Sequence, residues 1–368
     1  VPSVLHVAQP ADGGVAKYVQ HLAIAEAADG WDVAVASPSR APFVEVLDAH
    51  GVSHLEWEAG RTLGVSVASE AASLARLLRR SRAELVHLHS SKAGLLGRLL
   101  LRGRRATLFQ PHAWSFAAVT GGMATAALAW ERASARWCDT VLCVSEAERQ
   151  RGVASGVSAR FRVVPNGVAL DVFSPAGAAA RAEARAGIRI DDAPLVVCVG
   201  RLCRQKGQDL LIDAWRSVAA TVPGAVLALV GDGPDRDRLE RGAPAGVRFT
   251  GELGDVRPWL AACDVVVVPS RWDGMAFSLL EAMASGRSIV ATDVEGAREA
   301  LGEAGCIVPT DDSVALAGAV TTRLLDPALR HGEGQAARHR AQQAHDARVR
   351  LAEVMAVSVE TVRAHGPH

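Results

Sequence analysis

The sequence has no excess charge of either sign, no closely spaced cysteine pair and no long uninterrupted apolar run. Each absence removes a class of function. Lys and Arg, 40 in all, balance 40 Asp and Glu, so no global field draws the chain to nucleic acid. The six cysteines (138, 143, 198, 203, 263, 306) include no C-x-x-C pair, which argues against a zinc site. Several lie in apolar strand-like runs and read as small buried hydrophobes in a reducing compartment. No stretch reaches the roughly 18 apolar residues of a membrane span. The opening VPSVLHVAQP has neither a basic segment nor a long apolar one, so it does not read as a signal peptide. A cytosolic protein is expected.

What is present is an alternation of strand and helix over 368 residues, enough for two domains with a core each. Residues 4–8, 31–37, 84–90, 106–112 and 140–145 read as strands, with helical patterns between most of them. Strands rich in β-branched residues and apolar on both faces indicate parallel, doubly wound sheets. After RVVPNGVALDVFSPAG the pattern restarts with APLVVCVG (193–200), AVLALVGDG (225–233), VRFTGEL, DVVVVPS and SIVATD. The Ala-, Arg- and Gly-rich stretch 174–192 reads as a connector. The predicted scheme is α/β: one Rossmann-like domain over 1–172 and a second over 173–345. A terminal helix, 346–368, is expected to pack back on the first domain. Such halves bind ligands at the C-terminal ends of their strands.

Several short stretches carry the chemistry. GRLCRQKG (200–207) leaves a strand tip with Arg201 and Lys206 in one loop before a helix, a pattern suited to a diphosphate. ADGGVAKY (11–18) puts Gly13 and Gly14 before a helix, where a backbone N–H can approach a ligand. DGMAFSLLE (273–281) brackets an apolar segment between Asp273 and Glu281. A helix starting near Ala276 would aim free N–H groups at a ligand and carry Glu281 within reach of paired hydroxyls. His112 of PHAWSF follows a strand, and Asn166-Gly167 of VVPNG forms a turn.

Together with VSEAER, LVGDGP and VVPNGVALDVF, these stretches resemble the retaining GT-B glycosyltransferases of family 4 across nearly the whole chain. The resemblance implies a GT-B fold, two Rossmann-like doubly wound parallel-sheet domains facing a central cleft. It implies that Arg201 and Lys206 neutralise the donor diphosphate and that Glu281 holds the nucleotide ribose. Asp273 and the backbone amides of Met275, Ala276 and Phe277 would meet the donor sugar, with His112 beside its anomeric carbon. Gly14, Asn166 and Leu253 complete the expected donor set; Gly13, Lys92 and His112 form the expected acceptor set. Asp273 departs from the family's usual Glu and is one methylene shorter. No metal or cofactor is expected: Asp235-Arg-Asp237 imitates a D-x-D metal motif but lies in a helix start.

The expected reaction is transfer of a hexosyl group, with retention, from a nucleotide diphosphate sugar, with UDP as the nucleotide. The acceptor reading rests on the basic stretch Arg76–Arg105, which holds nine Arg or Lys against one acid, Glu84. It resembles the polysaccharide-assembly subgroup that extends lipid-linked saccharides, and an anionic membrane surface is the expected partner. Lys92 is expected to meet an acceptor pyrophosphate. Two alternatives stay open: the same chemistry on a small soluble acceptor, and a catalytically silent nucleotide-sugar-binding module.

Overall fold

The computed structural model describes residues 2–60 and 64–366; Val1 and residues 367–368, the ends of the expected scheme, lie outside the described residues. The chain divides into two compact units. One runs up to Pro165 and takes in the residues from Val349 onward; the other is Asn166–Arg348.

The first unit holds a parallel sheet of seven strands. They are β1 (Ser3–Ala8), β2 (Asp32–Ser37), β3 (Ser53–Glu56), β4 (Leu85–His89), β5 (Ala106–Gln110), β6 (Thr140–Cys143) and β7 (Phe161–Val163), in the order β3-β2-β1-β4-β5-β6-β7. The order reverses between β1 and β4, so the loops after these strands diverge there. The core beneath is apolar, with Trp57, Leu74, Phe109 and Trp114 buried. The end of the helix Ala347–His365 belongs to this unit. Thr361 donates to Thr140 at 3.0 Å, and Glu360 pairs with Arg162 at 3.0 Å.

The second unit has six parallel strands: β8 (Leu195–Val199), β9 (Val226–Val230), β10 (Val247–Gly251), β11 (Val265–Val268), β12 (Ser288–Thr292) and β13 (Cys306–Val308). Their order is β10-β9-β8-β11-β12-β13, which puts β8 and β11 side by side at the reversal. Leu211, Trp215, Leu227, Val265 and Leu316 fill its core.

One boundary differs and one sequence reading is corrected. The compact units divide after Pro165, seven residues before the expected 172, with residues 166–168 bonded into the second unit. Val168 N–H donates to His345 O at 2.8 Å and Ala347 N–H returns to Val168 O at 3.1 Å. The stretch 174–192 is not a plain connector. Its Ala-rich run forms the helix Ala178–Gly187, as alanine's propensity favours. Arg181 anchors that helix to Asp264 at 2.9 Å.

Candidate active site

In the second unit, the loops leaving β8 and β11 lie together because their strands are neighbours. The β8 loop carries Arg201, a short turn Arg204–Lys206, and then Gly207 ahead of the helix Gln208–Thr221. Gly207 has φ +67, and a Cβ there would fall 2.0 Å from Pro269 O, so only glycine lets the two loops meet. Arg271 then clamps them. Its N–H donates to Gln205 O at 2.8 Å, and its guanidinium donates to Arg204 O at 3.0 Å. The same guanidinium pairs with Asp209 at 2.7 Å and Asp311 at 2.7 Å. Gln205 Nε2 donates to Trp272 O at 3.1 Å.

This clamp brings Lys206 and Asp273 into an ion pair. Burial opposes the charge on Lys206, but Asp273 outweighs it and raises the lysine's pKa. Lys206 is thus a fixed cation. Arg201 is half-buried, and among the described residues no side chain pairs with it. Past Asp273, Met275 and Ala276 are buried, and the helix Phe277–Ala284 has Ala276 at its N-cap, a residue with no side-chain oxygen to cap it. Glu281 sits in that helix, 4 % exposed. Asn166 donates from Nδ2 to Met275 O at 2.8 Å, and its own carbonyl accepts from His345 Nδ1 at 3.0 Å. Asn166 therefore positions the segment that carries Met275. Leu253, on the loop after β10, is exposed. Asp235 is held by Arg238 at 2.9 Å, just ahead of the helix Arg236–Gly242.

In the first unit, Gly13 and Gly14 are exposed and open the helix Gly13–Ala28. His112 follows β5 with φ +56, and Ala113 has φ +116, two strained non-glycine conformations in succession. Glu148 holds them. Fully buried, it accepts Ala113 N–H at 2.8 Å on one oxygen and Val144 N–H at 2.7 Å on the other. Its own N–H donates to Ser145 Oγ at 3.0 Å, the cap of the helix Glu146–Ala154, and Trp114 Nε1 donates to its carbonyl at 2.7 Å.

Behind His112 lies a buried polar seam. His6 Nε2 meets Glu26 Oε2 at 2.6 Å, His6 Nδ1 meets His89 Nε2 at 3.0 Å, and His89 Nδ1 meets His112 Nε2 at 3.2 Å. His87 bonds Gln110 at 3.1 Å. Burial pushes His112 down to about 3. Burial, and then the neighbouring rings, hold His87 and His89 well below the ordinary histidine value. His6, His87 and His89 bring ring nitrogens within 4.8 Å of one another. His6 and His89 are already joined through Nδ1 and Nε2, and His87 is bonded to Gln110, which makes the group a hydrogen-bond network.

Lys92 is not the exposed acceptor cation expected from the sequence. It is 5 % exposed, and its ammonium pairs with Glu70 at 2.8 Å. Glu70 also accepts Gly60 N–H at 3.0 Å and Ser66 Oγ–H at 2.9 Å. Burial alone would raise this carboxyl's pKa, but these partners pull it down. Arg98 is likewise internal. It pairs with Glu131 at 2.8 Å, with its guanidinium 3.9 Å from the centre of the Phe109 ring.

Two family models match the chain: Glycosyltransferase Family 4 over residues 12–172 and Glycosyl transferases group 1 over 193–326. The chain belongs to the family 4 glycosyltransferases. One relative is the GDP-mannose-dependent alpha-(1-6)-phosphatidylinositol monomannoside mannosyltransferase of Mycolicibacterium smegmatis. It is 36% identical over 218 residues, covering 55% of this chain and 57% of that protein. An Escherichia coli UDP-Gal:alpha-D-GlcNAc-diphosphoundecaprenol alpha-1,3-galactosyltransferase is 27% identical over 238 residues, 61% of each chain. The alpha-D-kanosaminyltransferase of Streptomyces kanamyceticus is 34% identical over 173 residues, 44% of this chain and 45% of that one. The chain thus matches about half to three-fifths of the length of these relatives. Among solved structures, the sucrose-phosphate synthase of Thermosynechococcus elongatus superposes with a TM-score of 0.83 at 23% identity, covering 99% of this chain and 100% of that one. Anabaena HepE, in complex with UDP and glucose, gives 0.83 at 21% identity over 97% and 99%. These likenesses confirm the GT-B fold.

Within this family member the second unit brings Arg201, Lys206, Asp273, Met275, Ala276 and Glu281 onto two adjoining loops and one helix. Leu253 lies on a separate loop, and Asn166 acts through Met275. Sequence reasoning missed Arg271, Glu148, Glu26, His6 and His89. The signal for the histidines was present: imidazoles alternate with leucine and valine in VLHVA and LVHLH, at positions where a buried strand is otherwise apolar.

Proposed function

We propose that this protein transfers a hexosyl group from a nucleotide diphosphate sugar to a saccharide hydroxyl, with retention and without a metal ion. The observation that carries the reading is the clamped pair of loops after β8 and β11, which fixes Lys206 on Asp273, with Arg201 on the same loop and no side chain paired with it among the described residues. Fixed cations of this kind stabilise the charge that builds on a departing diphosphate. The start of the helix Phe277–Ala284 places the positive end of its dipole toward the donor, and Glu281 supplies an acceptor for a pair of ribose hydroxyls. The second unit is the donor side of the reaction; His112 belongs to the acceptor side. The sequence favours UDP, whereas relatives are named for GDP-mannose and UDP-galactose. Both nucleotides therefore belong in the test.

A lipid-linked acceptor at an anionic membrane surface is the reading we favour, since two relatives are named for lipid-borne acceptors. Docking would rest on Arg76, Arg79, Arg80, Arg82, Arg102 and Arg104, all exposed, each contributing on the order of 1 kcal/mol near such a surface. The burial of Lys92 and Arg98 shrinks this patch and favours a second reading, a small soluble acceptor. The test is nucleotide release from GDP-mannose, UDP-galactose and UDP-glucose in excess chelator, with lipid-linked and soluble acceptor pools compared by mass spectrometry. NMR of the product gives its anomeric configuration. Strict dependence on added metal, or an inverted product, sinks the mechanism; turnover confined to soluble acceptors selects the second reading.

A further inference from the structure

The buried seam behind His112 contains a carboxylate that packing does not explain. Glu26 is fully buried on the helix Gly13–Ala28, and among the described residues its Oε1 has no hydrogen-bond partner. A buried acid left half-satisfied costs stability, so a fold that keeps one calls for a reason. The sheet order supplies the setting. His6 of β1 is in register with His87 of β4, Ala8 with His89, and His89 with Gln110 of β5. The side chains of these three neighbouring strands that share a face therefore form one continuous polar row. Glu26 terminates it on one side, and His112 lies on the other.

Neutral imidazole has one donor and one acceptor nitrogen, so a chain of such rings has a direction. A carboxylate only accepts, and the 2.6 Å separation of Glu26 and His6 is that of a charge-assisted bond. His6 must then donate from Nε2, which leaves its Nδ1 to accept from His89 Nε2–H. His89 Nδ1 in turn accepts from His112 Nε2–H. The remaining nitrogen, His112 Nδ1, is left with a lone pair.

We propose that Glu26, acting through His6 and His89, is a positioning residue that locks His112 in the Nε2–H tautomer, so that His112 offers Nδ1 to substrate as a hydrogen-bond acceptor. His112 can then receive a sugar or acceptor hydroxyl but cannot donate to one. The lock works only while the rings stay neutral, and burial holds His89 and His112 in that form. Tyr18 packs edge-on to His112 at 4.9 Å between ring centres, Gln110 occupies His87, and the carboxylate beside the ring, Glu148, is taken up by the N–H groups of Ala113 and Val144. The strained backbone at 112 and 113, pinned by Glu148, fixes the ring's place independently of its tautomer.

The inference rests on the glycosyl-transfer reading only for what His112 does with its lone pair. Its test therefore begins with tautomers. Protein labelled with 15N in histidine is measured by long-range proton–nitrogen correlation, with the outermost ring assigned through His112→Gln. The expected pattern is protonated Nε2 and bare Nδ1 in His6, His89 and His112. A bare Nε2 or a doubly protonated ring at any of the three overturns the proposal, and this arm needs no variant at Glu26. Glu26→Gln, whose amide both donates and accepts, should move the His112 signals toward a mixture, whereas Glu26→Asp should restore them. The Gln variant should lower kcat about 10- to 100-fold with KM for the nucleotide sugar nearly unchanged. A Gln variant with unmoved His112 signals and unchanged kcat overturns the proposal as well. Wild-type protein that shows the expected tautomers but turns over no nucleotide sugar would instead count against the glycosyl-transfer reading.

Discussion

Acid should unfold the first unit across a defined pH window. His87, His89 and His112 all resist protonation in the fold, chiefly through burial. In the unfolded chain each returns to its ordinary value of 6.5. Below that pH the unfolded chain takes up protons that the folded unit refuses, so protonation favours unfolding. The rings therefore leave stability intact above 6.5, and it falls as the pH drops toward about 3, where His112 itself titrates. Each ring costs about 1.4 kcal/mol per pH unit inside the window. At about pH 5 that is roughly 2 kcal/mol per ring and about 6 for the three, against a total of about 5–15 for a typical domain. The assay is urea unfolding at about pH 7.5, 6 and 5, with samples pulse-labelled by deuterium at one common pH. Mass spectrometry of peptides covering β1, β4 and β5 reads the first unit separately. The midpoint for those peptides should fall steeply below about pH 6, with proton uptake on unfolding approaching three. A midpoint that is flat from about pH 7 to 5 would refute the claim that the fold holds these rings neutral.

Two further substitutions follow from the geometry. Glu148→Gln sets an amide NH2 against a backbone N–H at Ala113 or Val144, which should cost about 1–3 kcal/mol and lower the melting temperature of the first unit. It should also reduce kcat, because the strained His112–Ala113 segment loses its anchor; unchanged melting with unchanged kcat would show that the segment holds itself. Lys206→Met removes the fixed cation and leaves Asp273 without it. Calorimetry should show weaker binding of UDP or GDP, with little loss of the nucleoside alone, and equal losses for both ligands would place Lys206 away from the diphosphate.

The fold was legible because its signals are local. Apolar runs such as LVVCV and VVVV cannot be anything but two-face-buried strands once helical patterns separate them. The strands that escaped notice are the short outer ones, β3, β7 and β13. SHLE, FRV and CIV run only three or four residues, half of them or more only partly buried, too short for a period to show. The loops after β8 and β11 were legible for another reason: their residues are contiguous in sequence, so GRLCRQKG and DGMAFSLLE each state a complete local arrangement. Their mutual clamp was not legible. Arg271 joins residues more than 60 positions apart, and nothing in RWDG distinguishes it from a solvated loop charge.

Lys92 shows where charge counting fails. A lysine just past a strand, in a stretch nearly devoid of acids, looks exposed because its partner is sought nearby; Glu70 lies 22 positions upstream on another helix. Arg98 fails for the same reason, its partner Glu131 being 33 positions away. The histidine seam is the reverse case. Its residues look like isolated polar interruptions of three strands, each most simply read as a packed side chain. They become one object only when β1, β4 and β5 are neighbours in parallel register, which aligns His6 with His87 and His89 with Gln110. Helix periodicity then decides the remaining partners. Tyr18 and Glu26 stand eight positions apart, about 2.2 turns at 3.6 residues per turn, so both fall within the helix's broad buried stripe. That face meets the seam at both ends, with Glu26 on His6 and the Tyr18 ring against His112. The chemistry of His112 is thus written in the strand order and in one helix, and the PHAWSF motif marks only the end of the chain of contacts that controls it.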